Sequence, residues 1–296
     1  MKNKDKDIEK YNNEILNRLS IFLNDIPKSI KKNDVEDIEI QFNLSKKEAF
    51  SILLGACLGL DIADNKFDRE IYNLYFSNMI HFEDIKKYHD DLYYKNIRFN
   101  DISNGKWTLK YETIDAYEPF VCDDMVEMDD GRVIPQIGFF DCEYRFPAVL
   151  ENDREWMTLL PNETNSQKEA IDEAFGNVVT YGMGLGYFAY MVSQKENVKQ
   201  VTVVERDESV VDLFKKHILP QFDNKDKIKI IVCDAFEYAE KIAPQQKFDF
   251  MFADIWHDVD DGIDLYKRFK NLEYLNANTK YMYWLEKTMK CYLKNI

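Results

Sequence analysis

The chain of 296 residues carries 39 Lys and Arg against 54 Asp and Glu, a net charge of -15, and 45% of it is hydrophobic. That length and apolar content are ample for a sizeable core in one large domain or two modest ones, which excludes intrinsic disorder, and the negative charge disfavours a nucleic-acid binder that relies on bulk charge. The longest apolar stretch, Ala49 to Leu60, has 12 residues where about 20 are needed to cross a bilayer, so no membrane helix is expected.

The start of the chain is rich in Lys and Asp and lacks the apolar core of a signal peptide. The five cysteines, Cys57, Cys122, Cys142, Cys233 and Cys291, are odd in number and far apart, so they give neither a disulfide framework nor a CxxC metal site. Both features lead to the expectation of a cytoplasmic protein. The negative charge is uneven: residues 101-175 hold 6 basic and 18 acidic groups, whereas residues 176-296 hold 17 and 18. The acidic middle is either a solvated face or a surface that attracts a cationic substrate or basic partner.

Residues 1-100 read as a helical region. Ile8, Tyr11, Ile15, Leu19 and Phe22 recur at helical spacing, Leu44-Ser45 opens a helix that runs through Cys57, and Ile71 to Tyr94 repeats the pattern with many aromatics. His81 and His89 lie eight apart there without a third ligand, so no metal site is expected. Residues 101-160 change to short alternating runs around the turn signal Asp129-Asp130-Gly131-Arg132, which predicts a small antiparallel sheet. Asn165 to Gly176 reads as one helix, capped by Asn165 or Ser166 and ended by Gly176.

From there to residue 296 apolar strands and amphipathic helices alternate. Val178 to Tyr181 precedes a helix through Tyr187 to Ser193, Val201 to Val204 precedes Val210 to Ile218, Ile228 to Val232 precedes Ala235 to Ile242, and Phe248 to Ala253 precedes Ile263 to Leu272. A short strand, Tyr281 to Trp284, and a last helix follow. The expected fold is α/β, a Rossmann-like parallel sheet with helices on both faces, built from residues 161-296. Only about a dozen residues follow the fifth strand, so either the sheet is short or the front half contributes strands to it.

Three strand ends carry ligand-suited groups. The first strand runs into Gly182-Met183-Gly184-Leu185-Gly186, and glycines there admit positive φ and a close ligand beside free helix N–H groups. The dinucleotide fingerprint would set its third glycine at position 187, which is Tyr, so the spacing leans away from NAD. Glu205 ends the second strand, where a carboxylate can accept hydrogen bonds from both hydroxyls of a ribose. Asp234-Ala235 follows the third, where an acid can accept from an adenine amino group while the next N–H reaches a ring nitrogen. The fourth strand delivers Asp254-Ile255-Trp256-His257-Asp258. Asp254 there can orient or deprotonate a nucleophile, Trp256 can wall the site and His257 can act as a base. A capping Asp254, a core Trp256 and a surface His257 are the alternative reading.

These motifs resemble those of the class I S-adenosylmethionine-dependent methyltransferase superfamily over about residues 160-285. The resemblance implies that S-adenosylmethionine is the cofactor and that it is bound by Tyr181, Gly182, Gly184, Gly186, Glu205, Asp234 and Ala235. The glycine loop would lie against the methionine part, Glu205 on the ribose and Asp234-Ala235 on the adenine, with catalysis from Asp254, Trp256 and His257. Thr180-Tyr181 stands where the family often has an acid. The Asp/Asn-Pro-Pro-aromatic motif of methyltransferases that modify adenine is missing, and no acceptor is named by the sequence.

The run Val203 to Val211, Leu219-Pro220 and Asp234 to Tyr238 are also similar to the spermidine synthase group, which implies aminopropyl transfer from decarboxylated S-adenosylmethionine to a cationic amine. That group's glycine loop usually holds an Asp, which Gly182 to Gly186 lacks, and His257 occupies the place of one of its paired aspartates. A methyltransferase of unnamed acceptor is the first expectation. An aminopropyltransferase and a protein that binds S-adenosylmethionine without turnover are its alternatives, with a small-molecule or basic partner in each active case.

Overall fold

The computed structural model describes residues 2–293, with side chains from residue 7 onward. Its strands run in chain order β1 (Ile80–Phe82), β2 (Ile102–Asn104), β3 (Trp107–Ile114), β4 (Phe120–Glu127), β5 (Val133–Phe139), β6 (Tyr144–Glu151), β7 (Arg154–Thr158), β8 (Gly176–Tyr181), β9 (Val198–Glu205), β10 (Ile228–Val232), β11 (Phe250–Ala253) and β12 (Lys280–Tyr283). They divide between two compact units. One takes in the chain up to Lys86, Thr113–Arg145 and the chain from Cys291; the other consists of Lys87–Glu112 and Phe146–Lys290. The units interleave along the sequence, because β3 and β6 each begin in one and finish in the other, rather than following the consecutive segments 1-100, 101-160 and 161-296.

In the first unit, helices Lys2–Asp25, Lys32–Phe42, Lys46–Cys57 and Lys66–Met79 accompany a three-stranded sheet in the order β1-β5-β4. The third helix starts at Ser45, whose hydroxyl accepts from the Glu48 N–H while Glu48 reaches back to the Ser45 N–H, a reciprocal cap that satisfies two otherwise free donors. Tyr11, Ile15, Leu19 and Phe22 are buried along one stripe of the first helix, and Phe50 stacks on Phe139 of β5 at 3.9 Å. The expected helical run from Ile71 to Tyr94 stops at Met79. Ile80 to Phe82 is a strand instead, parallel to β5, so this sheet is mixed and not purely antiparallel. A fully buried Ile80 beside β5 outweighs a spacing that a helix would fit equally well.

Asp68 is buried in this unit at 3% exposure. It accepts from Arg18 Nη2 at 3.0 Å and from the Asp61 N–H at 3.0 Å, and Arg18 also caps the carbonyls of Leu58 and Gly59. The carboxylate is thus paired with a guanidinium and an amide donor.

The second unit contains a four-stranded sheet in the order β2-β3-β6-β7, antiparallel where β2 meets β3 and where β6 meets β7, and a five-stranded sheet in the order β10-β9-β8-β11-β12. Every pairing in the five-stranded sheet is parallel. Its central strands are apolar on both faces: Val178 to Tyr181 and all of β11 are buried. This is the α/β, Rossmann-like architecture, and all five strands come from residues 176–283. Among the described residues, the front half adds none.

The connecting helices are Tyr187–Ser193, Glu208–Leu213 with a π turn at Phe214–Ile218, Ala235–Glu237 with a π turn at Tyr238–Ile242, and Val259–Lys270. The segment before β8 differs from its expected single helix. Pro161 opens a helix Pro161–Ser166 at the first position, which suits its fixed φ, and a second helix Lys168–Glu173 follows after Gln167. Gly176 begins β8 and caps no helix. Its φ is +65°, and a Cβ there would collide with the Asp249 carboxylate.

Chain order places β8 first and central, with β9 and β10 on one side and β11 and β12 on the other. Connections leaving β8 and β11 therefore diverge, and the carboxyl ends beside them form the crevice in which open parallel sheets take their ligands.

Candidate functional site

Backbone hydrogen bonds extend the sheet one step past its strand ends and fix the loops that carry the site. Gly182 N–H donates to the Val204 carbonyl at 2.9 Å, Asp254 N–H to the Tyr181 carbonyl at 2.9 Å and Cys233 N–H to the Glu205 carbonyl at 3.0 Å. Between these loops lies a cavity lined by Gly182, Glu205, Asp234, Ala235 and Asp254, with Arg206, Cys233, Phe236, Ile255 and Trp156 around them. Four strand ends thus meet on one concave wall.

Gly182 has φ +93°, and a Cβ would stand 1.9 Å from the Asp254 carbonyl oxygen. Glycine is therefore required both for its conformation and for the approach of the β11 loop. Gly184 and Gly186 also have positive φ, but the space beside them is filled from within the protein. Met157 Sδ lies against Gly184 and accepts from the Leu185 N–H at 3.2 Å, and the Phe214 ring covers Gly186. Of the three glycines, Gly182 lines the cavity.

Glu205 is braced on the cavity floor. Its Oε2 accepts from the Met183 N–H at 3.1 Å and its Oε1 from the Asp207 N–H at 2.9 Å. Burial raises its pKa, while these amides and the charge of Arg206 pull the other way. The Arg206 N–H is a third amide donor to this carboxylate, and the acceptor capacity that remains can serve a ribose hydroxyl. Asp234 caps the next helix through Oδ1, which accepts from the N–H groups of Phe236 at 2.9 Å and Glu237 at 3.0 Å. That leaves Oδ2 as an acceptor at the cavity, beside Ala235.

Asp254 stands at the end of β11. Burial raises its pKa to about 7. Its Oδ2 is 3.4 Å from Gln167 Nε2, which is also 3.1 Å from Glu163 Oε2. Glu163 is pushed well above the usual carboxyl range, first by burial and then by the charge of Asp254. Two carboxyls therefore share one amide group and no cation.

The other expected residues lie elsewhere. Tyr181 offers its carbonyl to the Asp254 loop, but its ring is buried against Phe269 and Tyr238 and its phenol is pushed up by burial. Trp256 is 3% exposed, packs on Gly262, where a Cβ would meet the indole at 2.9 Å, and does not line the cavity. Trp156 of β7 is the indole that does. The His257 ring is held by the Glu155 carbonyl at 2.9 Å and by Asp258 at 3.4 Å, in a shallow acidic depression with Arg154, Glu155, Asp260 and Asp261. It is not among the cavity-lining residues.

Sequence reading missed Trp156, Arg206, Cys233, Glu163 and Gln167. Trp156 carries no local signal, because β7 lies far from the strand-end motifs in the chain. Glu163 and Gln167 did carry one. Their spacing continues the apolar stripe Ala170, Ile171, Ala174 towards the N-terminus, so two polar residues fall on a buried helix face.

Residues 171–272 match the spermine/spermidine synthase domain family, about a third of the chain. That segment carries Gly182, Glu205, Asp234 and Asp254 and leaves out Trp156 and Glu163. Among solved structures, a protein described as a probable spermidine synthase from Corynebacterium glutamicum is 16% identical, with 53% of this chain and 52% of that chain covered and a TM-score of 0.33. MNMC2 from Aquifex aeolicus is 11% identical over 50% of this chain and 55% of that one, with a TM-score of 0.25. The chain thus spans about half the length of each. Among curated proteins nothing matches. No helix among the described residues is long and apolar enough to cross a membrane.

Proposed function

We propose that the cavity binds an adenosyl sulfonium and that the protein transfers the aminopropyl group of decarboxylated S-adenosylmethionine to a cationic amine. The observation that carries this reading is the convergence of Gly182, Glu205, Asp234-Ala235 and Asp254 on one cavity. Glu205 would hold the ribose hydroxyls, Asp234 and Ala235 the adenine edge, and Trp156 would pack against the ligand. Gly182 keeps the floor free of a side chain.

The charge of the lining favours the decarboxylated donor. Three carboxyl groups, Glu205, Asp234 and Asp254, face the cavity against the single guanidinium of Arg206. An ammonium tail is attracted there, whereas a donor carboxylate would be repelled. In the reaction the amine nitrogen attacks the carbon attached to sulfur. The C–S bond breaks, its electrons neutralise the sulfonium, and the proton lost by the nitrogen passes to Asp254. A carboxylate raised to about 7 is well matched to take that proton near neutral pH. The sulfonium is already activated, so alignment of nitrogen, carbon and sulfur supplies most of the rate.

Methyl transfer to an amine is the second reading, favoured by the loop Gly182 to Gly186, which offers Met183 and Leu185 and no acid to a donor ammonium. The test is incubation with a short aliphatic diamine and either donor. Methylthioadenosine and an aminopropylated diamine are the expected products. Adenosylhomocysteine formed from S-adenosylmethionine would establish methyl transfer instead, and binding of either donor without turnover on a panel of amines would make the protein a cofactor-binding module.

A further inference from the structure

Asp254 forms the cavity wall, and behind it stands a second acid that the transfer reaction does not touch. Glu163 is 7% exposed and Gln167 is fully buried. The Gln167 amide nitrogen lies 3.1 Å from Glu163 Oε2 and 3.4 Å from Asp254 Oδ2, so its two N–H bonds are divided between the two carboxyls. The same two turns leave Gln167 Oε1 and Asn162 Oδ1 buried without a donor. This corner of the protein has an excess of acceptors and a shortage of hydrogens.

We propose that Glu163 is a positioning residue for Asp254: through Gln167 the two carboxyls hold one proton between them in the ligand-free protein, and a cation that enters the cavity beside Asp254 expels that proton to solvent. The proposal deepens the donor reading above and rests on it. Two carboxylates that share one buried amide cannot both ionise without strong repulsion. The groups that face Asp254 do not remove that repulsion. Across the cavity these are Glu205, Asp234, Cys233 and Arg206, while His257 and Asp258, next along its loop, turn into the neighbouring depression. Burial and the Asp254 charge both raise Glu163, and only the Gln167 hydrogen bond opposes them. A positive charge at the wall supplies the missing compensation, so donor binding and ionisation of Asp254 become one event. The base is then generated when the sulfonium is in place.

The experiment is calorimetric titration of the full chain with S-adenosylmethionine and with S-adenosylhomocysteine, in two buffers of different ionisation heat across pH 6 to 8. These ligands differ in the sulfonium methyl and its charge. A substantial fraction of one proton is expected to leave with S-adenosylmethionine and much less with S-adenosylhomocysteine. The affinity ratio of the two should rise about tenfold across that range. Glu163→Gln should reduce the difference in proton release and lessen the pH dependence of the ratio, because Asp254 then ionises without the repulsion of a second carboxylate, although its burial is unchanged. Equal proton release for both ligands, or undiminished release in Glu163→Gln, would overturn the proposal.

If neither ligand binds, the donor reading fails, and proton sharing is decided by urea unfolding of the ligand-free protein at pH 5 to 8. Groups raised in the folded state contribute stability at low pH that is lost as pH rises through their folded-state values. Wild type should lose stability over this range and Glu163→Gln should lose less. An unchanged slope overturns proton sharing independently. Asp254→Asn reads the same slope from the other partner, should Glu163→Gln fail to fold.

Discussion

Each compact unit holds an aspartate, Asp68 buried in the first and Asp254 half-buried in the second, and they treat it in opposite ways. Asp68 in the first unit meets the Arg18 guanidinium and a backbone N–H, so its charge is balanced where it stands. Asp254 in the second meets one side-chain amide, and its nearest buried ionisable neighbour is another acid. A fold selected for stability alone would have no use for the second arrangement. Unbalanced buried acids are costly, and they gather where charge must appear or a proton must move. The difference separates a unit whose buried aspartate is paired from one whose aspartate lines an open cavity.

The largest effect is expected where the closed arrangement is broken. Arg18→Ala leaves Asp68 buried with one amide donor and should destabilise the protein by about 3 kcal/mol in urea unfolding, with no change in nucleotide affinity once folded. On the open side, Glu205→Ala should weaken binding of an adenosyl ligand by about 100-fold, the loss of two charge-assisted hydrogen bonds.

Asp254→Asn sharpens the contrast, because removing a half-buried acid should here stabilise. Its folded-state pKa lies above the unfolded value, so wild type is disfavoured as pH rises through about 7. Relative to wild type, the Asn variant should gain about 2.5 kcal/mol of stability between pH 5 and pH 8, while transfer is lost. The smallest effect is expected at His257. Its ring is engaged by Glu155 and Asp258 outside the cavity, so His257→Ala should leave ligand affinity within about twofold.

Much of the second unit was legible because periodicity reports burial. Continuous apolar runs gave the strands of the parallel sheet, and Gly182, Glu205 and Asp234 follow directly from the rule that such strands present ligands at their carboxyl ends. Local pattern failed where a tertiary partner decided. Ile80 to Phe82 continues a helical spacing but pairs with β5. Trp256, beside Asp254 in sequence, turns into the interior onto Gly262, and Trp156 from a distant strand takes the wall. Gly184 and Gly186 satisfy a ligand-binding spacing, yet Met157 and Phe214 occupy the room they leave. Glu163 and Gln167 were visible as polar interruptions of an apolar stripe. Their meaning depends on Asp254, 87 positions beyond Gln167, which no local pattern contains.

The most direct test of the account is the affinity of the full chain for decarboxylated S-adenosylmethionine, measured calorimetrically beside S-adenosylmethionine and NAD, with Glu205→Ala as the control. The account predicts binding of both sulfonium ligands with preference for the decarboxylated one, loss of both in Glu205→Ala, and no binding of NAD. Failure of both sulfonium ligands to bind the wild-type protein would contradict it, and the strand-end carboxylates would then serve another ligand.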